Sequence, residues 1–99
     1  MLDVKKIANG RELTFVLGGR LDTTTAPGFE TELKASLDGV EKLVFDIAKL
    51  EYISSAGLRV LLSAQKIMNR QGMLIVKNPT GEVYEIFEVT GTLGILTIE

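Results

Sequence analysis

The 99-residue chain has no cysteine, no histidine and no tryptophan, and it has only two prolines. Without cysteine there is no disulfide framework and no thiolate metal site. Without histidine the chain lacks the commonest general base, the commonest metal ligand and every serine–histidine–aspartate arrangement. We therefore expect no catalytic centre of the usual hydrolytic kind, no metal site and no cofactor.

Long apolar runs are also missing. No run approaches the roughly 18–20 residues that span a bilayer, and the first six residues (Met-Leu-Asp-Val-Lys-Lys) lack the apolar segment of a signal peptide. We expect no membrane insertion and a cytoplasmic location. The net charge is −2 with both signs scattered, so no basic stripe marks a nucleic-acid partner. With 45% hydrophobic residues, we expect one domain spanning residues 1–99.

Hydrophobic periodicity predicts the element order β-β-α-β-α-β-α-β. The predicted strands are residues 2–8, 12–17, 42–47, 73–77 and 93–98, and the predicted helices are residues 25–38, 55 to 70 or 71, and 83–90. Pro27 falls in the first turn of the first predicted helix, where its missing amide hydrogen costs little, and Thr80 can cap the third. Asn9-Gly10 predicts a tight hairpin turn between the first two strands. After this hairpin, strands alternate with helices, which is typical of parallel crossovers. The sequence therefore predicts an α/β fold, a mixed sheet of about five strands with helices packed against it.

Two adjacent serines, Ser54 and Ser55, separate an apolar strand-like run from an apolar helix-like run. Ser54 suits the N-cap of a helix and Ser55 its first position. Both serines could serve only to start the helix. Alternatively, Ser55 is an exposed hydroxyl at a strand-to-helix junction, where open α/β sheets commonly place function. A catalytic serine needs an activating base, and none lies nearby at a motif spacing, so we favour a regulatory role.

Other polar positions give weaker signals. Gly18 and Gly19 break the strand pattern, but the chain contains neither standard phosphate-loop motif, so we expect a tight strand-to-helix connection. Asp22 follows them as an exposed residue that could be a surface contact. Asp46 lies inside an apolar run near a strand end, and we expect it to accept hydrogen bonds from backbone amides of a neighbouring loop rather than to pair with Glu51 in acid–base catalysis.

Three segments of the chain resemble one family. Residues 52–62 (Tyr-Ile-Ser-Ser-Ala-Gly-Leu-Arg-Val-Leu-Leu) resemble the signature of the STAS family, the anti-sigma factor antagonists. Residues 19–22 (Gly-Arg-Leu-Asp), followed by threonine and Ala26, are similar to its first conserved loop, and residues 43–46 (Leu-Val-Phe-Asp) to its central strand. The chain length and element order also agree, so the resemblance covers essentially the whole chain.

The resemblance implies a mechanism. Family members bind an anti-sigma factor that is a serine kinase with a histidine-kinase-like ATP fold, and binding releases the sigma factor. The kinase phosphorylates the start of the switch helix, here Ser55, which ends the interaction, and a PP2C-type phosphatase restores it. The implied partner-binding residues are Asp22, Thr23, Ser54, Ser55, Ala56, Arg59 and Val60. None of these roles is catalytic.

Two positions depart from the best-known antagonists. Ser54 stands where those proteins carry aspartate, and Ala56 stands where serine or threonine is frequent. Two functions therefore stay open. The chain is either an antagonist switched by phosphorylation, or a STAS scaffold subunit of a lipid-transport or sensory complex that is never phosphorylated. The oligomeric state is open as well.

Overall fold

A computed structural model describes every residue from 1 to 99. The chain forms a four-stranded sheet, three α-helices and one short 3-10 turn. In chain order the elements are β1 Leu2–Asn9, β2 Glu12–Leu21, α1 Ala26–Ser36, β3 Lys42–Ile53, α2 Ser55–Met68, β4 Met73–Lys77, α3 Gly81–Val89 and the 3-10 turn Thr92–Gly94. The predicted α/β class and the order of the first seven elements are confirmed.

The sheet is mixed, with strand order β1-β2-β3-β4. β1 pairs antiparallel with β2, whereas β2–β3 and β3–β4 are parallel. The hairpin forms where it was predicted, but its two loop residues are Gly10 and Arg11, since Asn9 already pairs with Glu12. Gly10 has φ +62°, and glycine adopts that conformation at little cost in the first central position of such a loop.

The core lies between the sheet and the three helices. Leu13, Phe15 and Leu17 of β2 alternate with less buried residues and join this core, as the period of a half-buried strand requires. Phe15, Phe29 and Phe45 bring β2, α1 and β3 together, with ring centroids 5.4–6.1 Å apart. Aromatic pairs at this spacing add attraction beyond the area they bury, so this cluster fixes α1 on the sheet.

β2 and β3 are longer than the sequence predicted. The predicted strands end at residues 17 and 47, with residues 48–53 as a connection, but β2 continues to Leu21 and β3 to Ile53. The β2–β3 register shifts on either side of the glycine pair, and Gly19 has φ +84°, so the glycines form a bulge inside a strand rather than its end. The extension pairs Leu21 with Ile53 and brings both strand ends side by side.

The predicted fifth strand, residues 93–98, does not form. The buried Thr92 hydroxyl donates to the Phe87 carbonyl at 3.1 Å, and the Ile95 and Leu96 amides donate to the Thr92 carbonyl, which closes a 3-10 turn. Only residues 97–99 reach the sheet, where Ile98 forms a single parallel bridge to Val76 of β4. In this bridge the Val76 amide donates to the Thr97 carbonyl and the Glu99 amide donates to the Val76 carbonyl, both at 2.8 Å. Alternating apolar residues predicted a strand here, but the local threonine bonds favour the turn.

The helix limits follow the capping residues. Thr80 caps α3, since its Oγ1 accepts from the Val83 amide at 3.4 Å. α1 begins at Ala26 with proline in its first turn, as predicted. α2 ends at Met68, before the predicted end at residue 70 or 71, and the next residues form a turn whose amides bond to the last carbonyls of the helix.

Candidate functional site

The junction between β3 and α2 gives the two adjacent serines different roles. The Ser54 amide donates to the Leu21 carbonyl at 2.9 Å, which ties the junction to the end of β2. Ser54 Oγ accepts from the Gly57 amide at 3.2 Å, so Ser54 is the N-cap of α2. Ser55 is the first residue of the helix, and its exposed hydroxyl makes no hydrogen bond. The predicted cap and first helical residue are confirmed, and of the two serine hydroxyls only that of Ser55 makes no hydrogen bond.

Gly57 lets α2 start close against the two strand ends. A Cβ at this position would lie 2.8 Å from the Leu21 carbonyl oxygen and 2.9 Å from Ile53 Cγ1. Real side chains essentially never make such contacts, so only glycine permits this approach without a shift. The start of α2, and with it Ser55, therefore packs closely against the ends of β2 and β3.

Asp22 organises the loop between β2 and α1. Its Oδ1 accepts hydrogen bonds from the amides of Thr24 and Thr25 at 3.0 and 3.2 Å, and from the Thr24 hydroxyl at 2.8 Å. The pKa of Asp22 is lowered from 3.8 to about 2, and the hydrogen bond from the Thr24 hydroxyl is the largest cause. The two amides and the Thr25 hydroxyl add to this effect, and partial burial opposes it. Asp22 therefore remains a carboxylate at any physiological pH.

The structure corrects the description of Asp22 as simply exposed. Its side chain is only 23% exposed and serves the loop. The N-cap residue Thr25 makes no side-chain capping bond to α1, because Thr25 Oγ1 donates to the Arg20 carbonyl at 2.9 Å. The amide of Ala26, the first helical residue, donates instead to the main-chain carbonyl of Asp22 at 2.8 Å. Thr23, the next predicted contact, is exposed at the tip of this loop.

A shallow groove of about 260 Å³ runs between α1 and α2. Its lining residues are Thr23, Ala26, Pro27, Glu30, Ala56, Arg59 and Val60. Four of the seven predicted contacts thus share one groove, and the other three adjoin them in the chain. Val60 is only 3% exposed, so it supports the floor of the groove and presents little surface to a partner.

A charged cluster beside Asp22 was not among the residues predicted from the sequence. The Arg20 guanidinium lies 4.5 Å from the centre of the Tyr52 ring, and its Nε lies 3.6 Å from Asp22 Oδ2. Arg20 and Tyr52 are register partners in the extended parts of β2 and β3. Because those parts were predicted to be loops, nothing in the sequence placed the two residues together.

The largest surface cavity lies elsewhere. It measures about 630 Å³ and lies beside the second half of β3 and the start of α3, with Lys49, Glu51 and Glu82 among its lining. The one buried side-chain polar atom without a hydrogen-bond partner, Gln65 Oε1, does not line it. The size of a cavity alone does not identify a site, so the candidate site is the β3–α2 junction together with the groove.

Two further observations concern the whole chain. Nowhere do three or more acidic side chains come together in a cluster that could hold a metal ion. The longest helix, α2, has 14 residues, and no helix is long and apolar enough to cross a membrane.

Comparisons with known proteins agree with this fold. The family model of the STAS domain matches residues 3–99. BtrV of Bordetella bronchiseptica, assigned as an anti-sigma factor antagonist, is 40% identical over 84 residues, which is 83% of this chain and 72% of that protein. A crystal structure of an anti-sigma factor antagonist from Mycobacterium paratuberculosis superimposes with a TM-score of 0.89 at 19% identity, covering 99% of this chain and 85% of that one.

A third similar structure is that of the Bacillus cell fate determinant SpoIIAA in its phosphorylated form. It superimposes with a TM-score of 0.75 at 15% identity, and the match covers 100% of this chain and 91% of that chain. At this identity the likeness shows the fold alone. The family match over nearly every residue and the 40% identity to BtrV identify the chain as a member of the STAS domain family.

Proposed function

We propose that the chain is an anti-sigma factor antagonist that binds a serine-kinase anti-sigma factor and loses that binding when Ser55 is phosphorylated. The observation that carries the proposal is the exposed Ser55 hydroxyl, free of hydrogen bonds, on a helix start that the core holds fixed. The binding surface, here called the switch surface, comprises Asp22, Thr23, Ser54, Ser55, Ala56 and Arg59, with Val60 beneath. The assignment of BtrV as an antagonist and the phosphorylated form of SpoIIAA support this proposal.

The surroundings of Ser55 favour modification by another protein over catalysis by this one. The chain has no histidine, and no side chain accepts a hydrogen bond from the Ser55 hydroxyl. The one carboxylate in the groove, Glu30, pairs with Lys34 at 3.4 Å. A serine nucleophile without a general base is weak, so the protein acts by binding rather than as an enzyme.

A phosphate on Ser55 would act on the partner more than on the fold. It adds about −1.5 to −2 charges at pH 7. The start of a helix carries about half a positive charge, which tolerates this addition. At the interface the same phosphate adds bulk and negative charge. A hundredfold loss of affinity requires only about 2.7 kcal/mol, which one misplaced charge in a complementary interface can supply.

The proposal also includes the return step and the location. A PP2C-type phosphatase removes the phosphate and restores binding. Because the sigma factor acts in transcription, the kinase that binds it, the phosphatase and this protein work in the cytoplasm.

The direct test is phosphorylation in vitro. The chain is incubated with ATP and the serine-kinase anti-sigma factor of the source organism, and the product is analysed by mass spectrometry with site localisation. We expect one phosphate, on Ser55, and none on Ser55→Ala. Calorimetric titration should then show that the phosphorylated chain binds the kinase at least tenfold more weakly. Phosphate on a different residue, or equal affinity of both forms, would contradict the proposal.

One observation favours a second function. Ser54 provides the cap but lacks the carboxylate of the best-known switches, so the junction carries less negative charge than theirs. A scaffold STAS subunit of a lipid-transport or sensory complex needs the fold but no phosphoacceptor. Stable, kinase-independent association with a transporter or sensory complex, combined with no phosphorylation of Ser55, would favour this second function.

A further inference from the structure

Arg59 is an exposed cation without a partner. The ion pairs of the structure join Arg11 to Glu41, Arg20 to Asp22, Lys34 to Glu30 and Lys42 to Glu12. Arg59 makes no ion pair and no side-chain hydrogen bond, although it lines the groove together with Glu30. It is the only positive side chain in the groove lining. Its guanidinium is therefore available to an acceptor that the unmodified chain does not provide.

Ser55 and Arg59 are four residues apart on α2. Residues at that spacing lie one above the other on the same helix face, with Cβ atoms about 5–6 Å apart. Long side chains in a helix point back toward its N-terminus, so Arg59 extends over the turn that holds Ser55. A phosphate on Ser55 would lie within reach of the guanidinium, which binds phosphate oxygens in a two-pronged, charge-assisted arrangement.

We propose that Arg59 binds the phosphate on Ser55 within the same chain. This pairing withdraws the Arg59 guanidinium from the groove, and the loss of that donor contributes to the loss of partner binding. In the unmodified chain, Arg59 offers its donors to an acidic group of the partner. After phosphorylation the guanidinium turns to the phosphate, and the groove keeps Glu30 but loses its only free positive charge. The partner then meets both an added negative group and a missing donor. This inference rests on the proposed phosphorylation of Ser55.

The positive end of the helix cannot cause a difference in phosphate pKa between the wild-type chain and Arg59→Gln. The helix dipole acts on a phosphate at position 55 whether residue 59 is arginine or not. Glu30, on α1, is equally present in both cases and is held by Lys34 at 3.4 Å. A difference between the wild-type chain and Arg59→Gln therefore reports on Arg59 itself.

The test uses the second ionisation of the phosphate. Phosphoserine is installed at position 55 by genetic encoding, so the measurement does not depend on any kinase. Phosphorus NMR then follows the phosphate from pH 4.5 to 8 at low salt in three proteins: wild type, Arg59→Gln and the control Arg70→Gln. Arg70 is likewise exposed and without an ion pair, but it lies beyond the far end of α2.

Pairing with Arg59 stabilises the doubly charged phosphate and lowers its second pKa, which is about 6 in a free phosphoserine. An exposed ion pair of ordinary strength corresponds to a difference of about 0.3 unit. We expect Arg59→Gln to raise the pKa by that amount and Arg70→Gln to leave it unchanged. The Arg59 Nε–H signal in nitrogen–proton spectra should shift with the same midpoint.

Equal midpoints in the wild type and Arg59→Gln, or equal shifts in both variants, would overturn the inference. Circular dichroism of each protein confirms that the variants are folded. Because the phosphoserine is encoded, a negative result here leaves phosphorylation by a kinase intact. Conversely, failure of every kinase to modify Ser55 would remove the proposed function without changing the NMR result.

Discussion

At the scale of single residues, two chemically identical serines have different roles because of their backbone positions. Ser54 Oγ accepts from the Gly57 amide, whereas Ser55, one residue later, makes no side-chain bond. Capping rules predicted this division from the sequence, since the residue before the first helical position provides the cap. The bond from the Ser54 amide to the Leu21 carbonyl could not be predicted, because it depends on the register of β2 and β3.

We expect Ser54→Ala to destabilise the domain by about 1 kcal/mol, the usual cost of losing a serine cap. Ser54→Asp should retain the wild-type stability, because aspartate caps equally well and its charge suits the helix start. Ser55→Ala is the matched control, and it should change stability by less than about 0.5 kcal/mol. Urea denaturation measures all three. A larger loss for Ser55→Ala than for Ser54→Ala would show that the roles are reversed.

The Asp22 carboxylate should make stability depend on pH. Its pKa is lowered from 3.8 to about 2 by the threonine hydrogen bonds, so its contribution is complete above about pH 4. That contribution is lost as the pH falls through about 2, where the folded carboxylate takes up its proton. The stability difference between wild type and Asp22→Asn should therefore shrink from pH 5 to pH 2, as measured by urea denaturation at each pH.

The control for this prediction is Asp38→Asn. Asp38 is exposed in the turn after α1 and makes no side-chain hydrogen bond, so the substitution removes one carboxylate without disturbing a loop. A carbon NMR titration of the Asp22 carboxyl provides an independent measurement, with a midpoint expected near 2. A midpoint near the ordinary value of 3.8 would mean that the threonine bonds do not persist in solution.

At the scale of whole elements, local signals predicted starts and turns better than strand ends. The hairpin, the proline at the start of α1 and the cap Thr80 each depend on a few neighbouring residues, and each is found. The tail of β3 is different, because in residues 48–53 only Leu50 and Ile53 are buried, a spacing of three rather than two. A bulged parallel pairing, formed only with β2 in place, explains this spacing.

Gly57 and Gly28 provide a matched pair for the docking of α2. Glycine to alanine in a helix normally stabilises by up to about 1 kcal/mol, and this is expected at Gly28 in α1, where a Cβ would meet no atom within 4 Å. At Gly57 the Cβ would lie 2.8 Å from the Leu21 carbonyl oxygen. We therefore expect Gly57→Ala to destabilise by about 1–3 kcal/mol, as overpacked sites do.

Chemical denaturation of the two glycine variants tests this contrast. Amide exchange should also show faster exchange at the first turn of α2 in Gly57→Ala only, because the helix start must move away from the strands. Equal stabilisation by both substitutions would mean that the close approach of α2 to Leu21 and Ile53 is absent in solution.

At the scale of the whole molecule, Ser55 lies apart from the core that supports the switch surface. The strand ends Leu21 and Ile53 are buried and paired, and they hold the junction from below. Ser55 adds nothing to that support, since it is exposed and unbonded. The sequence could predict the layered core from its periodicity. It could not predict that the groove beside Ser55 forms between α1 and α2, because that depends on how the two helices pack.

This separation predicts that a phosphate on Ser55 leaves the fold intact. The helix start favours negative charge, and no buried contact involves the Ser55 hydroxyl, so the unfolding free energy should change by less than about 1 kcal/mol. For a domain of this size that corresponds to a melting shift below about 8 °C. Thermal unfolding by circular dichroism, comparing the serine and encoded phosphoserine chains, measures it. A much larger drop would mean that phosphorylation acts by unfolding the start of α2, and that loss of partner binding follows from lost structure rather than from charge at an intact surface.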